Sequence, residues 1–277
     1  MLACAGVVSS STEAPRVEGP AARWRCRPHD ARLVAVLRRA AELLERHHPV
    51  HVEGLDRLPD GPALLVGNHG HLGYETLLFF HALLRLTGRL PRGLADRWFF
   101  RVPLLRDVLV RVGGAYGCPE NARTMLAEGH WVVCYPGGAR EALKRRASDR
   151  YKLCWHRSQG FVRVAREAGV PVIPFAAAGV DDTFEVRGAI EGSGRLLMGH
   201  DKYDLPRLTG GSYGVVPRAV PFLFRFGDPV DVARHAEATG EDEDDVHRAH
   251  VHVWEQTQRH LDETVASWRD RFARTAA

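Results

Sequence analysis

The sequence predicts a single α/β domain in which a mixed sheet is flanked by helices. Three observations carry the prediction. Short apolar runs at Pro62–Val66 and Trp131–Tyr135 stop at Gly67-Asn68 and Pro136-Gly137-Gly138, as buried strands running into loops do. The stretches between such runs carry apolar residues at three- and four-residue steps, the period of a helix with one packed face, and strands alternating with helices argue for an α/β sandwich. The chain has 277 residues, enough to bury a full core without disulfide or metal staples.

Taken in order, residues 1–28 lack a basic n-region and a sustained apolar stretch, and read as a flexible extension. Residues 29–277 read as one domain with an N-terminal helix and a long C-terminal helix. Asp30–His47 is the first helix, with Leu33, Val36, Leu37, Ala40, Leu43 and Leu44 on its expected core face. After the Pro62–Val66 strand, a strongly apolar helix starts near Tyr74 and runs to about Leu86. Val102–Val110 and Glu120–Ala127 are two more helices, and Trp131–Tyr135 is the next strand. Ser158–Ala168 carries Phe161, Val164, Ala165 and Ala168 at helical spacing and ends at Gly169, before strands at Val170–Ala176 and Phe222–Phe226. The last helix spans about Glu241 to Ala273. Acidic residues crowd its start and Arg269, Arg271 and Arg274 its end, which suits the helix dipole, and Trp254, Leu261, Val265, Trp268 and Phe272 form its packing stripe.

The formal charge of +4 suits an anionic ligand or an anionic membrane surface, and is too small and too scattered for nucleic acid. The one tight basic run, Lys144-Arg145-Arg146, reads as a solvated face. Five scattered cysteines with no C-x-x-C spacing indicate reduced thiols and a cytoplasmic setting. The apolar stretch Thr76–Leu86 is far too short to span a bilayer. Together with Trp98-Phe99-Phe100 it is expected to touch a membrane peripherally, on the cytoplasmic face.

Two loops carry the chemistry. Asn68-His69-Gly70-His71-Leu72-Gly73-Tyr74-Glu75 lies between a buried strand and an apolar helix, where α/β proteins place their sites. An alcohol is a poor nucleophile at its ordinary pKa and needs a base, which an imidazole supplies near neutrality. A carboxylate on the far ring nitrogen fixes the tautomer and stabilises the imidazolium. The spacing leaves open which histidine acts, since Glu75 lies six positions after His69 and four after His71. A metal reading of His69-x-His71 with Glu75 is weak, because no second ligand cluster follows. The second loop is Tyr135-Pro136-Gly137-Gly138-Ala139-Arg140-Glu141, where the glycines bare main-chain donors and Arg140 offers a guanidinium fork for a phosphate or an oxyanion.

Together the loops resemble the PlsC-like glycerolipid acyltransferase superfamily. Its first motif usually reads His, four residues, Asp, and its second Phe-Pro-Glu-Gly-Thr-Arg. Here five residues separate His69 from Glu75, and Gly137 stands at the acidic position of the second motif. Both departures resemble the diacylglycerol-acyltransferase-like branch that includes the plant phytyl ester synthases. The likeness continues through Tyr151-Lys152-Leu153, Trp155, Phe161-Val162-Arg163, Val172-Ile173-Pro174-Phe175, Val180-Asp181-Asp182 and Phe226-Gly227-Asp228-Pro229-Val230.

The resemblance implies a PlsC-like fold, His69 as general base because it follows Asn68 as the motif histidine does, and Glu75 as its partner. It places substrate contacts on Gly137, Gly138 and Arg140, and Glu141 and His71 are expected beside them. The co-substrate would be acyl-CoA or an acyl carrier protein, the acceptor a lipid alcohol, with no metal or cofactor. The superfamily's intermediate motif ends in an Arg that meets acceptor phosphate. Gly114–Glu120 here has none, which favours diacylglycerol or a long-chain alcohol over lysophosphatidate. Two rivals remain. Gly210-Gly211-Ser212-Tyr213-Gly214 fits G-x-S-x-G, but Pro217 opposes the helix that a nucleophile elbow needs. A non-catalytic lipid-binding protein would have no reason to keep both loops in register.

Overall fold

The computed structural model describes residues 24, 26–155, 158–211, 214, 216–232 and 242–272. Seven strands form one sheet: β1 (Val50–Glu53), β2 (Ala63–Gly67), β3 (Arg92–Ala95), β4 (Gly114–Tyr116), β5 (Trp131–Cys134), β6 (Val172–Ala178) and β9 (Phe222–Phe226), in the spatial order β1-β9-β6-β2-β5-β3-β4. Neighbours pair parallel except β6 with β9, so β1 and β9 run against the other five strands. A separate antiparallel ribbon joins β7 (Glu185–Ile190) to β8 (Leu205–Thr209). This is the mixed sheet with flanking helices that the sequence predicts.

The helices are α1 (Ala31–Glu45), α2 (Glu75–Thr87), α3 (Pro103–Arg111), α4 (Pro119–Ala127), α5 (Ala139–Ala142), α6 (Gly160–Ala168), α7 (Ser193–Met198) and α8 (Asp242–Phe272). Local signals set their ends. The Asp30 side chain caps α1 by accepting from the N–H groups of Arg32 and Leu33. Pro103 and Pro119 open α3 and α4, where a missing N–H costs nothing. Gly169 ends α6 in the left-handed region. The central strands β2 and β6 are buried along their whole length, which is why they read as unbroken apolar runs. Helix α8 lies across β6, with Leu261, Val265 and Trp268 buried as the stripe predicts.

One expectation needs correction. The stripe drawn on α1 is rotated: Ala41 is its buried residue, while Val36 and Leu43 are exposed. Most of the apolar surface of α2 is turned inward, since Leu78, Phe79, Ala82 and Leu83 are buried against the core and Leu77, Phe80 and Leu84 face a cavity, while Leu86 stays exposed. The Trp24 carbonyl accepts from the Tyr116 N–H at 3.2 Å, and its ring packs on Phe100. No helix among the described residues is long and apolar enough to cross a membrane.

Candidate active site

Three adjacent parallel strands, β6, β2 and β5, end together, and the loops leaving their C-terminal ends build the site. Asn68 sets the exit from β2. Its side-chain amide donates to the Ala177 carbonyl at 3.0 Å and its oxygen accepts from the Ala177 N–H at 2.8 Å, so a side chain prolongs the ladder to β6 by one step. The chain then turns sharply through Leu72 and Gly73, with φ of 63° and 69°. Left-handed backbone is costly at a leucine, and Gly73 has a second reason to lack a side chain: a Cβ there would lie 3.1 Å from His69 Cε1.

The turn returns the chain so that Glu75, in the first turn of α2, faces His69. His69 Nδ1 and Glu75 Oε1 are 2.7 Å apart, and the same oxygen accepts from the Gly70 N–H at 3.1 Å. With the carboxylate accepting, Nδ1 carries a ring hydrogen, and Nε2 is the nitrogen left to act on a substrate proton. The Glu75 side chain is only 1% exposed, so little solvent screens the pair. Tyr135 stacks flat on the imidazole, with centroids 3.7 Å apart and ring planes at 15°, and its hydroxyl accepts from Thr76 Oγ1 at 3.3 Å. Burial pushes the Tyr135 phenol well above its ordinary pKa, so it stays a neutral stacking partner.

His69 opens onto a cavity of about 990 Å³, whose walls include Leu77, Phe80, Leu94, Leu109 and Val164. That is the upper end of the range for sites that enclose a small molecule, about 300–1,000 Å³. Gly138 and Ala139 reach the same cavity. Cys134 also lines it, but burial pushes its thiol up to about 12, far from the thiolate a nucleophile needs. Among the described residues no group of three or more His, Cys, Asp or Glu is arranged to hold a metal ion.

The structure therefore brings His69, Glu75 and Gly138 together, and it separates others from the cavity. His71 is buried, burial holds its pKa below the ordinary histidine value, and it does not line the cavity. Glu141 is fully buried and occupied: its two oxygens accept from the N–H groups of His69 at 3.0 Å and Cys154 at 2.7 Å. Neither residue lines the cavity. Arg140 is solvent-exposed and outside the cavity lining. Gly137 makes room for a neighbour, since a Cβ there would sit 2.2 Å from Glu141 Oε1. Where the superfamily pattern has an acidic residue, this chain has a glycine, and a carboxylate from four residues on fills the space.

Sequence reasoning missed Lys144. Its side chain is buried, not part of a solvated run, while Arg145 and Arg146 are exposed. Its ammonium donates to the His69 carbonyl at 2.5 Å and to Asp181 Oδ1 at 3.1 Å. Burial disfavours the charged form, but the Asp181 and Glu141 carboxylates outweigh it and hold the pKa above the usual lysine value. Tyr151 and Asp181 of the motif-like stretches brace one another: the Tyr151 N–H donates to Asp181 Oδ2 at 2.8 Å, and its hydroxyl accepts from the Gly179 N–H at 2.8 Å. Ser212 of the G-x-S-x-G stretch lies outside the described residues.

The paired loops and the fold resemble those of the PlsC-like acyltransferases. Residues 49–178 match the family model described as Acyltransferase. The match covers a little under half of the chain and identifies this segment as an acyltransferase domain of the PlsC-like type. It is 31% identical over 187 residues to the human "DGAT1/2-independent enzyme synthesizing storage lipids", covering 66% of this chain and 54% of the relative. It is 32% identical over 211 residues to "Phytyl ester synthase 2, chloroplastic" of Arabidopsis thaliana, covering 66% of this chain and 29% of that protein. The chain thus spans about half, or less, of the length of these curated relatives. The crystal structure of the 1-acyl-sn-glycerophosphate acyltransferase PlsC from Thermotoga maritima shares the fold, with a TM-score of 0.53 at 15% identity, covering 83% of this chain and 79% of that one.

Proposed function

We propose that the protein transfers a fatty acyl group from a thioester, acyl-CoA or an acylated carrier protein, to the hydroxyl of a neutral lipid such as diacylglycerol or a long-chain alcohol. The observation that carries this reading is the 2.7 Å bond that His69 Nδ1 donates to Glu75 at the wall of a large apolar cavity. His69 Nε2 takes the proton of the acceptor hydroxyl, and the oxygen attacks the thioester carbonyl carbon. The Gly138 N–H donates to the Tyr135 carbonyl at 2.9 Å, which leaves the Ala139 N–H, on the cavity wall, as the main-chain donor for the developing oxyanion. The tetrahedral intermediate collapses with cleavage of the C–S bond, and the imidazolium returns its proton to the thiolate, leaving an ester and a free thiol. No acyl-enzyme is needed. Glu75 stabilises the imidazolium throughout.

The relatives' names, one for storage-lipid synthesis and one for phytyl esters, support a neutral acceptor. So does the absence of arginine from Gly114–Glu120, which includes the cavity-lining Gly117, Cys118 and Pro119. Access to such lipids is proposed to come through peripheral contact with the cytoplasmic face of a membrane. Purified protein given oleoyl-CoA with diolein or a long-chain alcohol should release CoA and form the matching ester. Absence of ester with acyl-CoA and acyl carrier protein donors alike, against both acceptors, would refute the proposal.

A further inference from the structure

Both main-chain polar groups of His69 are held by buried charged side chains of one neighbouring segment. Its N–H donates to Glu141 Oε2 at 3.0 Å, and its carbonyl accepts from Lys144 Nζ at 2.5 Å. Each of those side chains is anchored in turn, Glu141 by the Cys154 N–H and Lys144 by Asp181. Glu141, Lys144 and Asp181 are all buried, and none lines the cavity. Burying charge is costly, and a loop N–H and C=O can be satisfied by water or by neutral groups at far lower cost. Hydrogen-bond satisfaction alone therefore does not account for charges here.

Fixing the N–H and the C=O of one residue fixes the peptide planes on both sides of it, and with them its φ and ψ. The two side-chain rotations of His69 are then set by Glu75 on Nδ1 and by Tyr135 on the ring face. Every rotation of the residue is thus determined from a different direction.

We infer that Glu141 and Lys144, with Asp181 behind them, form a charged clamp that positions His69 for proton transfer, and that residue 137 is glycine to admit the Glu141 carboxylate. The inference rests on the reading of His69 as the base. Proton transfer requires heavy atoms within about 2.6–3.2 Å, and misplacement by 1 Å can cost on the order of 10²-fold in rate. The clamp residues act through His69, so they are positioning residues and not catalytic ones.

Glu141→Gln tests the clamp with minimal change in volume. A carboxylate accepts on both oxygens, whereas an amide turns one of them into a donor, so one of the two N–H groups would face an NH₂. The expected result is a fall in kcat of about 10²-fold with KM for acyl-CoA within about twofold. Gly137→Ala should lower kcat similarly, because its Cβ displaces the same carboxylate. Combined, the two should cost no more than the worse one alone, since they break one contact; independent structural damage would add. Amide hydrogen exchange supplies a readout free of any substrate. The His69 amide should exchange slowly in the wild-type protein and at least tenfold faster in Glu141→Gln, while amides of β2 stay protected. A wild-type His69 amide that exchanges like an open loop, or a Glu141→Gln protein with unchanged kcat, overturns the clamp. A wild-type protein with a protected His69 amide but no turnover overturns the acyltransferase reading instead.

Discussion

Replacing Glu75 by glutamine isolates the charge of the proposed dyad. The side chain keeps its size, and its oxygen can still accept from His69 Nδ1 and the Gly70 N–H, the two bonds made by Glu75 Oε1. What disappears is a buried negative charge beside a ring that must become positive. Two unit charges about 4 Å apart attract by about 4 kcal/mol at an effective dielectric of about 20. At about 1.36 kcal/mol per decade, that is on the order of 10³-fold in kcat/KM. If the amide turns its NH₂ toward Nδ1, the ring must carry its hydrogen on Nε2, where it cannot act as a base, and the loss grows toward about 10⁴-fold. Thiol release from oleoyl-CoA in the presence of diolein measures the effect, with thermal melting to show an intact fold. His71→Ala is the control: its ring is buried away from the cavity, so a measurable fraction of activity should remain. Activity of Glu75→Gln within tenfold of wild type, or a His71 variant as dead as a His69 variant, would refute the dyad.

Other consequences are open to direct measurement. Burial holds His48 neutral, with its pKa lowered to about 4, while its ring stacks on Phe222 and meets the Tyr74 hydroxyl at 3.1 Å. The unfolded chain takes up that proton first as pH falls, so stability is whole above about pH 6.5 and declines toward pH 4, by about 1–3 kcal/mol after allowing for solvent screening. Urea unfolding across that window should show the slope, and His48→Gln should flatten it. Arg140, exposed and outside the cavity, should meet the phosphates of the donor rather than the oxyanion. Arg140→Ala should raise KM for acyl-CoA several-fold with kcat unchanged, and an unchanged KM would remove that role. On α7, Leu196 and Leu197 are 85% and 62% exposed, and the Arg101 guanidinium joins this helix to the Phe99–Arg101 turn through the Met198 carbonyl at 3.3 Å. Two exposed leucines on a helix tied to Arg101 suit an anionic lipid surface. Wild-type protein should sediment with phosphatidylglycerol vesicles, and Leu196→Glu with Leu197→Glu should release it.

The parts of the molecule that the sequence reveals are those where local physics decides. β2, β5, β6 and β9 are buried apolar runs, and α6 and α8 carry their stripes and end signals in plain view. The strands β1, β3 and β4 escaped, because sequences such as Val50–Glu53 and Gly114–Tyr116 are short and mixed and become strands only by pairing with distant partners. His69 and Glu75 were legible because one loop holds both. Lys144 was not. Its neighbours Arg145 and Arg146 made a run that looks solvated, and what buries it is Asp181, which arrives from the end of another strand. Its spacing of one helical turn after Glu141 was the available signal. Tyr135 was hidden by its own strand-like context, because stacking on a histidine from another loop leaves no trace in local sequence.

The reversed pair of strands also has a consequence for synthesis. Among the described residues β1 lies at an edge and has β9 as its only neighbour in the sheet, with Val50 opposite Phe222, 172 positions later. At about 5–20 residues per second, a ribosome takes roughly 10–35 s to deliver that partner. β2, β5 and β6, whose ends carry the histidine loop and its supports, emerge well before it and can pair among themselves. The half of the sheet that bears the chemistry can thus form on the nascent chain while β1 waits. β9 then enters between β1 and β6 and closes the far side. A waiting strand is a hazard if it is long, flat and apolar. This one is four residues long, with His51 and Glu53 alternating with its two valines, which makes it a poor template for another chain on the same polysome.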